Sequence, residues 1–567
     1  PTERKASVGE SVDADSEAEV TGSITSDELH SVDENLFHDR ESRATGFIGQ
    51  NSAVQWLHTV RNETRGPERM DFTHQFNNTS EGQLGEAADV PSSSPGYTFR
   101  VSNSTFYLDC DEYDMNEPIN SWELPDPEVA ELLVDCYMET VHPSFPILPE
   151  TFDHAFRRYC HSAKTGQQYR LADDWQATLN LVLAIGAQYL RLSQSRLRVG
   201  EHDQVLYMKR AMGLMGLDKL ITCLPGPSLR EIQATGLLSL YFLTVGQVNR
   251  AWTIVGVAIR FSLAIGLHLR NDGSSTTSES KEAMSRVWWS LDSLENLLCT
   301  MTGRPYVINR DQCTAPIPRV FPKAFIRRDS TSHPPSSHWV SQPLTTVNRG
   351  TNSGGNVSQL SFQENMVAAA AIIEKALSGL YSPQVAGNSW QQIHTKILAL
   401  SNDLEKWAVV ALSNNFHPSS SANDLHVQRE QLLLKFQYYS AKLLIFRPCL
   451  SRLDQRGTGD SNASAEFNRK GSIECIQGAH AFTSLFPDHL DLTFIFQRTP
   501  WWCIVHNIMQ ALAVFLLGRS FWDSEVEFKD ETSQASIKKL LSWLEHMSVG
   551  NAVAKRAHDM VIEIINT

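Results

Sequence analysis

The sequence runs to 567 residues, enough for two to four conventional domains or for one extended helical domain with tails. Its net charge of −15 is uneven: residues 1–125 hold 24 acidic and 8 basic side chains, a net of −16, leaving 40 acidic against 41 basic for the rest. A near-neutral body behind a negative leader repels phosphate backbones, so the chain carries no electrostatic footprint for nucleic acid.

Residues 1–42 are rich in Ser, Asp, Glu and Thr and read as a disordered acidic leader, since they bury too little apolar surface to offset ordering entropy. Residues 43–124 read as a loosely ordered segment with one short docking helix. There Phe47 and Ile48 precede Asn51 or Ser52 as a cap and the stripe Val54, Trp56, Leu57 and Val60. Aromatics such as Phe37, Phe47, Trp56, Phe72 and Phe76 interleave with the carboxylates, a composition shared by activation segments and by solubilising tails.

From residue 125 the periodicity turns helical, and residues 125–327 read as the core of the body. A stripe of Val129, Leu132, Leu133, Cys136, Tyr137 and Val141 ends at His142-Pro143-Ser144-Phe145-Pro146, where two prolines stop the helix. Further helices are expected over about 150–159, 175–191, 203–217, 228–246, 249–267 and 281–302, with links short enough to make neighbours antiparallel. The 249–267 helix is apolar almost all round and reads as buried between neighbours, with Gly266 and His268 at its C-terminal turn. The 281–302 helix carries Trp288 on its main stripe and Trp289 about 100° round, so it meets two partners. Gly303 fits a left-handed cap and Pro305 forbids continuation.

Residues 328–360 read as a flexible loop, and residues 361–567 as the C-terminal helical part of the same body, with helices over about 362–380, 390–412, 424–447, 471–485, 500–518, 532–546 and 551–565. The run Trp501 to Gly518 contains His506, Asn507 and Gln510 and reads as a core helix rather than a membrane span. Strand signals are weak throughout, so the expected class is all-α: a large antiparallel multi-helix domain with hairpin-like pairs. Nine widely spaced cysteines read as reduced core residues of an intracellular protein. No basic-then-apolar leader is present, and a start at Pro1 suggests a fragment.

Catalytic patterns are sparse. An isoprenoid-type (terpene cyclase-like) enzyme would hold Mg²⁺ on carboxylates at helical spacing, and Asn271, Asp272, Ser275 and Glu279 match one such motif by letters. The intervening Gly273, Ser274, Thr276, Thr277 and Ser278 are poor helix formers, so the shared face is not expected to exist. Asp173-Asp174 lacks the further acid a partner motif needs, and Cys160-His161 is one adjacent pair without a second. GxSxG, GxGxxG, P-loop and HExxH patterns do not occur. No catalytic residue and no metal ligand is assigned, and the expectation is a non-enzyme.

Four motifs in order carry a resemblance. Tyr137…His142-Pro143…Phe145-Pro146-Ile147-Leu148, then Ala251-Trp252…Gly266-Leu267-His268, then Arg286-Val287-Trp288-Trp289…Gly303-Arg304-Pro305…Pro316-Ile317-Pro318, then Phe446-Arg447-Pro448 resemble the fungal-specific transcription factor regulatory domain of binuclear zinc cluster proteins. The upstream Ala44-Thr45-Gly46-Phe47-Ile48-Gly49…Ser52 block resembles the element preceding that domain.

The resemblance implies the control half of a nuclear fungal regulator that senses a small molecule or a protein partner. It implies contact with DNA only through a zinc cluster that this chain lacks, since no cysteine precedes Cys110. Zinc is therefore expected only in that missing module, and no cofactor in this chain. Expected partners are the transcription machinery or co-regulator proteins, with a small-molecule effector and a homodimer both open, and no membrane. Trp252, Phe261, Trp288 and Trp289 read first as core; a ligand, if bound, is expected in an apolar cleft that they line. Arg304 is expected to satisfy helix-end carbonyls or a buried acid such as Asp292, and His268 to be a helix-end residue.

Overall fold

Short polar side chains set where the helices of this protein begin, by accepting from backbone amides that have no partner inside the helix. Ser228, Ser361 and Ser389 form reciprocal capping boxes with Glu231, Glu364 and Gln392, and the Thr277 hydroxyl accepts from the Ser280 amide. The computed structural model describes residues 47–57 except 50, 106–107, 109, 113, 119–166 except 150, 171–193, 203–216, 227–318, 361–412 except 384, 386 and 387, 421–451, 462–521 and 531–566. The acidic leader and the 328–360 loop of the sequence reading lie outside the described residues.

In chain order the helices are α1 (Pro127–Thr140), α2 (Thr151–Lys164), α3 (Asp173–Leu192), α4 (Asp203–Met215), α5 (Leu229–Thr244), α6 (Val248–Ala264) and α7 (Ser278–Thr302). They continue as α8 (Phe362–Leu380), α9 (Trp390–Ala411), α10 (Ser421–Ser451), α11 (Asn462–Thr483), α12 (Leu492–Arg498), α13 (Ile504–Phe521), α14 (Glu531–Ser548) and α15 (Ala552–Asn566). The described residues contain no strand, and the class is all-α. Sequential helices pair as hairpins, α5 with α6, α8 with α9, α10 with α11 and α14 with α15.

Two helices form the axes of two halves. α3 packs against α1, α4 and α5, and every residue from Gln176 to Leu190 is buried. α13 packs against α10, α11, α14 and α15, and residues 501–518 are all buried, which accounts for the longest apolar run as a core. Among the described residues no helix is long and apolar enough to cross a membrane. The halves meet where α7 lies on α8. Asn296 donates to the Ala370 carbonyl at 3.0 Å, Gln363 to the Pro143 carbonyl at 2.6 Å, and Arg429 to the Glu139 carbonyl at 2.8 Å and to that of Thr140. Those last two carbonyls end α1, so the second half caps a helix of the first.

α6 differs from the sequence reading. It buries one face only, through Val248, Ala251, Val255, Ala258, Ile259 and Ser262. Leu263 and Ile265 are 37% and 38% exposed. The helix lies on α5 and α7 at the outside of the first half, and residue type alone does not separate an outer helix with an apolar outer face from a buried one. α10 and α11 are also longer than their periodicity predicts, running to Ser451 and starting at Asn462.

Close approach of α1 and α3 depends on Gly186, where a Cβ would stand 2.1 Å from the Leu133 carbonyl oxygen. Gly186→Ala is expected to lower stability by roughly 1–3 kcal/mol through this overpacking, measured by urea unfolding. A variant within 0.5 kcal/mol of wild type, roughly the noise of a neutral surface change, would contradict that packing.

Candidate functional site

α7 is 25 residues long, and its C-terminus is buried inside the protein. The last carbonyls of a helix have no intrahelical donor, and burial denies them water. Gly303, at φ +74°, turns the chain and returns its amide to the Cys299 carbonyl at 2.8 Å. The upstream segment supplies the other donors. The Gly49 amide reaches the Thr302 carbonyl at 2.9 Å, and Asn51 Nδ2 reaches the Cys299 and Thr300 carbonyls at 3.4 and 3.5 Å. Gly49 and Gly303 cross backbone to backbone: a Cβ on Gly49 would stand 2.0 Å from the Gly303 carbonyl oxygen. Beyond the crossing, Ala53, Val54, Trp56 and Leu57 are buried.

Two arginines fasten this strap to different halves. Arg304 Nε donates to the Phe47 carbonyl at 2.9 Å, its Nη2 donates to Asn249 of α6, and its guanidinium lies 4.8 Å from the Trp252 ring centre. Its partner is thus not Asp292, because Gly303 turns the chain away from that face of α7 and towards α6. Arg447 of α10 stacks 3.7 Å from the Trp56 ring and 5.1 Å from that of Tyr381. Pro448 lies inside α10 and has no amide to give the Leu444 carbonyl; the Tyr381 hydroxyl donates to that carbonyl at 2.5 Å instead. The Arg447-Pro448 pair therefore shapes one socket for Tyr381 and Trp56.

On the same α7, Asp292 is fully buried and pairs with Arg310 at 2.5 Å, while the Tyr306 hydroxyl donates to its other oxygen. Arg310 also stands 2.7 Å from Glu374 of α8 and 5.7 Å from the Trp289 ring. Glu295, one turn on, accepts from the Val307 and Ile308 amides at 2.9 and 3.3 Å and so holds the segment after Pro305 beneath α7. Burial pushes Glu295 up to about 7, against the pull of those two amides, and the neighbouring Asp292 and Glu374 carboxylates push the same way.

The remaining residues singled out by sequence are spread through this frame. Trp288 is fully buried beside the His268 ring at 5.8 Å, and Trp289 Nε1 donates to the Pro316 carbonyl at 3.0 Å. The His268 carbonyl accepts from Thr314 and Ala315 at 2.8 and 3.0 Å, next to Gly266 at φ +79°. Phe261 is half-buried on α6. His142 is buried at the turn before Pro143, and burial together with Arg286 drives its imidazole down to about 3. Asn271, Asp272 and Ser275 lie in a turn and only Glu279 lies in α7, so the four do not share a helical face.

A cavity of about 50 Å³ opens at the seam, between α7, α8, α10, the 144–145 turn and the start of α13. Trp252, Phe261, Trp288 and Trp289 do not line it; Phe145, Asn296, Thr300, Phe436, Trp502 and His506 do. Asn296 and Thr300 spend their donors on backbone carbonyls. Both His506 ring nitrogens and the Ser144 hydroxyl are buried without a hydrogen-bond partner. Burial, with Arg447 nearby, lowers His506 to about 3 and keeps it neutral, so one nitrogen donates and the other accepts. The available signal in the sequence was His506 and Asn507 standing in a largely apolar run.

Two outcomes follow. Glu295→Gln removes a carboxyl whose folded value is raised, so wild type holds that stability below pH 4.5 and loses it as pH rises through about 7. The stability of the variant relative to wild type is expected to improve by roughly 2–3 kcal/mol between pH 5 and pH 8 in urea unfolding; a gap independent of pH would contradict it. Gly49→Ala is expected to free the strap, so that chymotrypsin cleaves after Trp56 or Leu57 at least tenfold faster than in wild type. Unchanged cleavage would show that the crossing does not hold the segment.

Comparison with known proteins agrees with this frame. The family described as "Fungal specific transcription factor domain" matches residues 134–409, from within α1 to near the end of α9. The "Transcription regulator galc" of Aspergillus niger is 27% identical over 96% of this chain and 70% of its own length. An uncharacterized transcriptional regulatory protein of Schizosaccharomyces pombe is 25% identical over 70% of this chain and 47% of its own, and an "ABC-transporter-regulating transcription factor" of Aspergillus fumigatus is 28% identical over 57% and 33%. The chain thus spans about half or less of the latter two. Among the described residues no three His, Cys, Asp or Glu side chains converge as metal ligands. Residues 134–409 are a fungal-specific transcription factor domain, and the chain is a transcriptional regulator.

Proposed function

We propose that this chain is the non-enzymatic effector part of a nuclear regulator of RNA polymerase II transcription, which receives a signal in its helical body and passes it upstream through residues 47–57. DNA is contacted through a zinc-cluster module outside this chain, and output passes through co-regulator proteins or the transcription machinery. The observation that carries this reading is the strap itself. It comes from the N-terminal side, completes the end of α7 in one half and docks Trp56 under Arg447 in the other. A shift between the halves therefore cannot leave the strap's two anchors both intact. The isoprenoid-enzyme alternative has no support at 271–279, where its ligands do not share a face.

The test is a fusion of the full chain to a heterologous DNA-binding module, read on a reporter gene. The fusion is expected to change reporter output at least several-fold. Gly49→Ala, at equal protein level, is expected to shift that output towards the value of a fusion lacking residues 1–124. Output equal to the DNA-binding module alone, or turnover of prenyl diphosphates with Mg²⁺ by the purified chain, would overturn the reading.

A further inference from the structure

We infer that the seam cavity is a binding site for a small uncharged molecule bearing a hydroxyl or carbonyl on an apolar frame, read by His506 and Ser144. This names a chemical class of signal for the regulator proposed above, and its role in control rests on that reading.

Size comes first. One water needs about 10–15 Å³ measured in this way, so about 50 Å³ admits several waters or a ligand of a few heavy atoms. Charge comes second. No Asp, Glu, Lys or Arg lines the cavity, and an ion brought into it would lose its hydration without a counter-charge. The third point is polarity. Phe145, Leu297, Met366, Ile373, Phe436 and Trp502 make apolar walls. Against them stand three polar atoms with no protein partner, the two ring nitrogens of His506 and the Ser144 hydroxyl oxygen. Buried polar groups in folded proteins are nearly always satisfied, so these atoms call for a guest. A neutral imidazole offers one donor and one acceptor, and a serine hydroxyl offers both. An alcohol or amide matches that set, whereas a hydrocarbon leaves it unpaired.

The site also connects to the strap. Thr300 lines the cavity, and its carbonyl lies 3.5 Å from the Asn51 amide nitrogen. A guest that moved this turn of α7 would act on the strap directly.

The experiment titrates the full chain with butan-1-ol and butyramide, and with butyrate and butylammonium as charged counterparts. It follows the imidazole ¹⁵N signals, with that of His506 assigned from His506→Leu, and the melting temperature. Both neutral probes are expected to shift the His506 signal saturably and to raise the melting temperature by a few degrees, with the charged probes inert. His506→Leu is expected to weaken binding at least tenfold. Ala370→Leu, which places three more carbons in the cavity, is expected to abolish it. Should that variant fail to fold, Ser144→Ala serves, with an expected loss of about threefold to tenfold, as for one lost neutral hydrogen bond. A cavity holding water only, with no saturable response to either neutral probe, would overturn the proposal. So would an equal response to butyrate, or unchanged affinity in His506→Leu. Absent binding with intact reporter regulation removes the cavity alone, while a silent reporter removes the regulator reading itself.

Discussion

The structure depends on how a long buried helix is ended. The final carbonyls of α7 lie in the interior, where each unpaired one would cost about 1–3 kcal/mol, and the helix has no donors of its own to offer them. Gly303 supplies one amide by turning left-handed. Donors to the Thr300 and Thr302 carbonyls come from a segment some 250 residues upstream, through the Asn51 side chain and the Gly49 amide. Gly49 and Gly303 are glycines because two backbones meet there with no room for a Cβ on either. The strap is therefore part of the core of the body, and its position reports on α7.

α7 is also where the two halves touch. One of its faces carries Asp292 and Glu295, which hold Arg310, Tyr306 and the amides of Val307 and Ile308 and so keep the chain folded back beneath the helix. The same helix reaches α8 through Asn296, and α8 adds Glu374 to the Arg310 pair. Buried charge of this kind contributes little net stability compared with an apolar core, but it tolerates few alternative arrangements. Next to it lies the seam cavity, where polar atoms are left over. A helix bearing a fixed ion network, an incompletely satisfied cavity wall and an end capped from elsewhere is well placed to couple three regions that are distant in sequence.

Much of the fold was legible in the residues. The stop at His142-Pro143 and the end of α7 at Gly303 and Pro305 follow from proline's missing amide and glycine's freedom at positive φ, and both are local chemistry. The periodic stripes located every helix from α1 onward except the short α12. The sequence was silent where long-range geometry decides. It marked Arg304 as the polar residue to watch, with helix-end carbonyls or a buried acid such as Asp292 as its partner, whereas Gly303 directs it to Phe47 and Asn249. It read α6 as buried all round, although an outer helix with an apolar outer face has the same letters. Arg447-Pro448 was recognisable as a motif, yet its reason appears only when Tyr381 is seen on the Leu444 carbonyl that Pro448 leaves free. The cavity was harder still. It is assembled from five separate stretches, and the polar signal in the sequence was confined to His506 and Asn507 in the 501–518 run.

The central claim is that residues 47–57 are part of the core and not a tail resting on it. Hydrogen–deuterium exchange on the full chain tests this most directly, through the amides of Gly49 and Trp56, which bond to the Thr302 and Ser52 carbonyls. These amides are predicted to exchange as slowly as those of the last turn of α7 and to lose protection together with them when denaturant is added. Exchange of the strap at the rate of a free peptide while α7 stays protected would contradict the account.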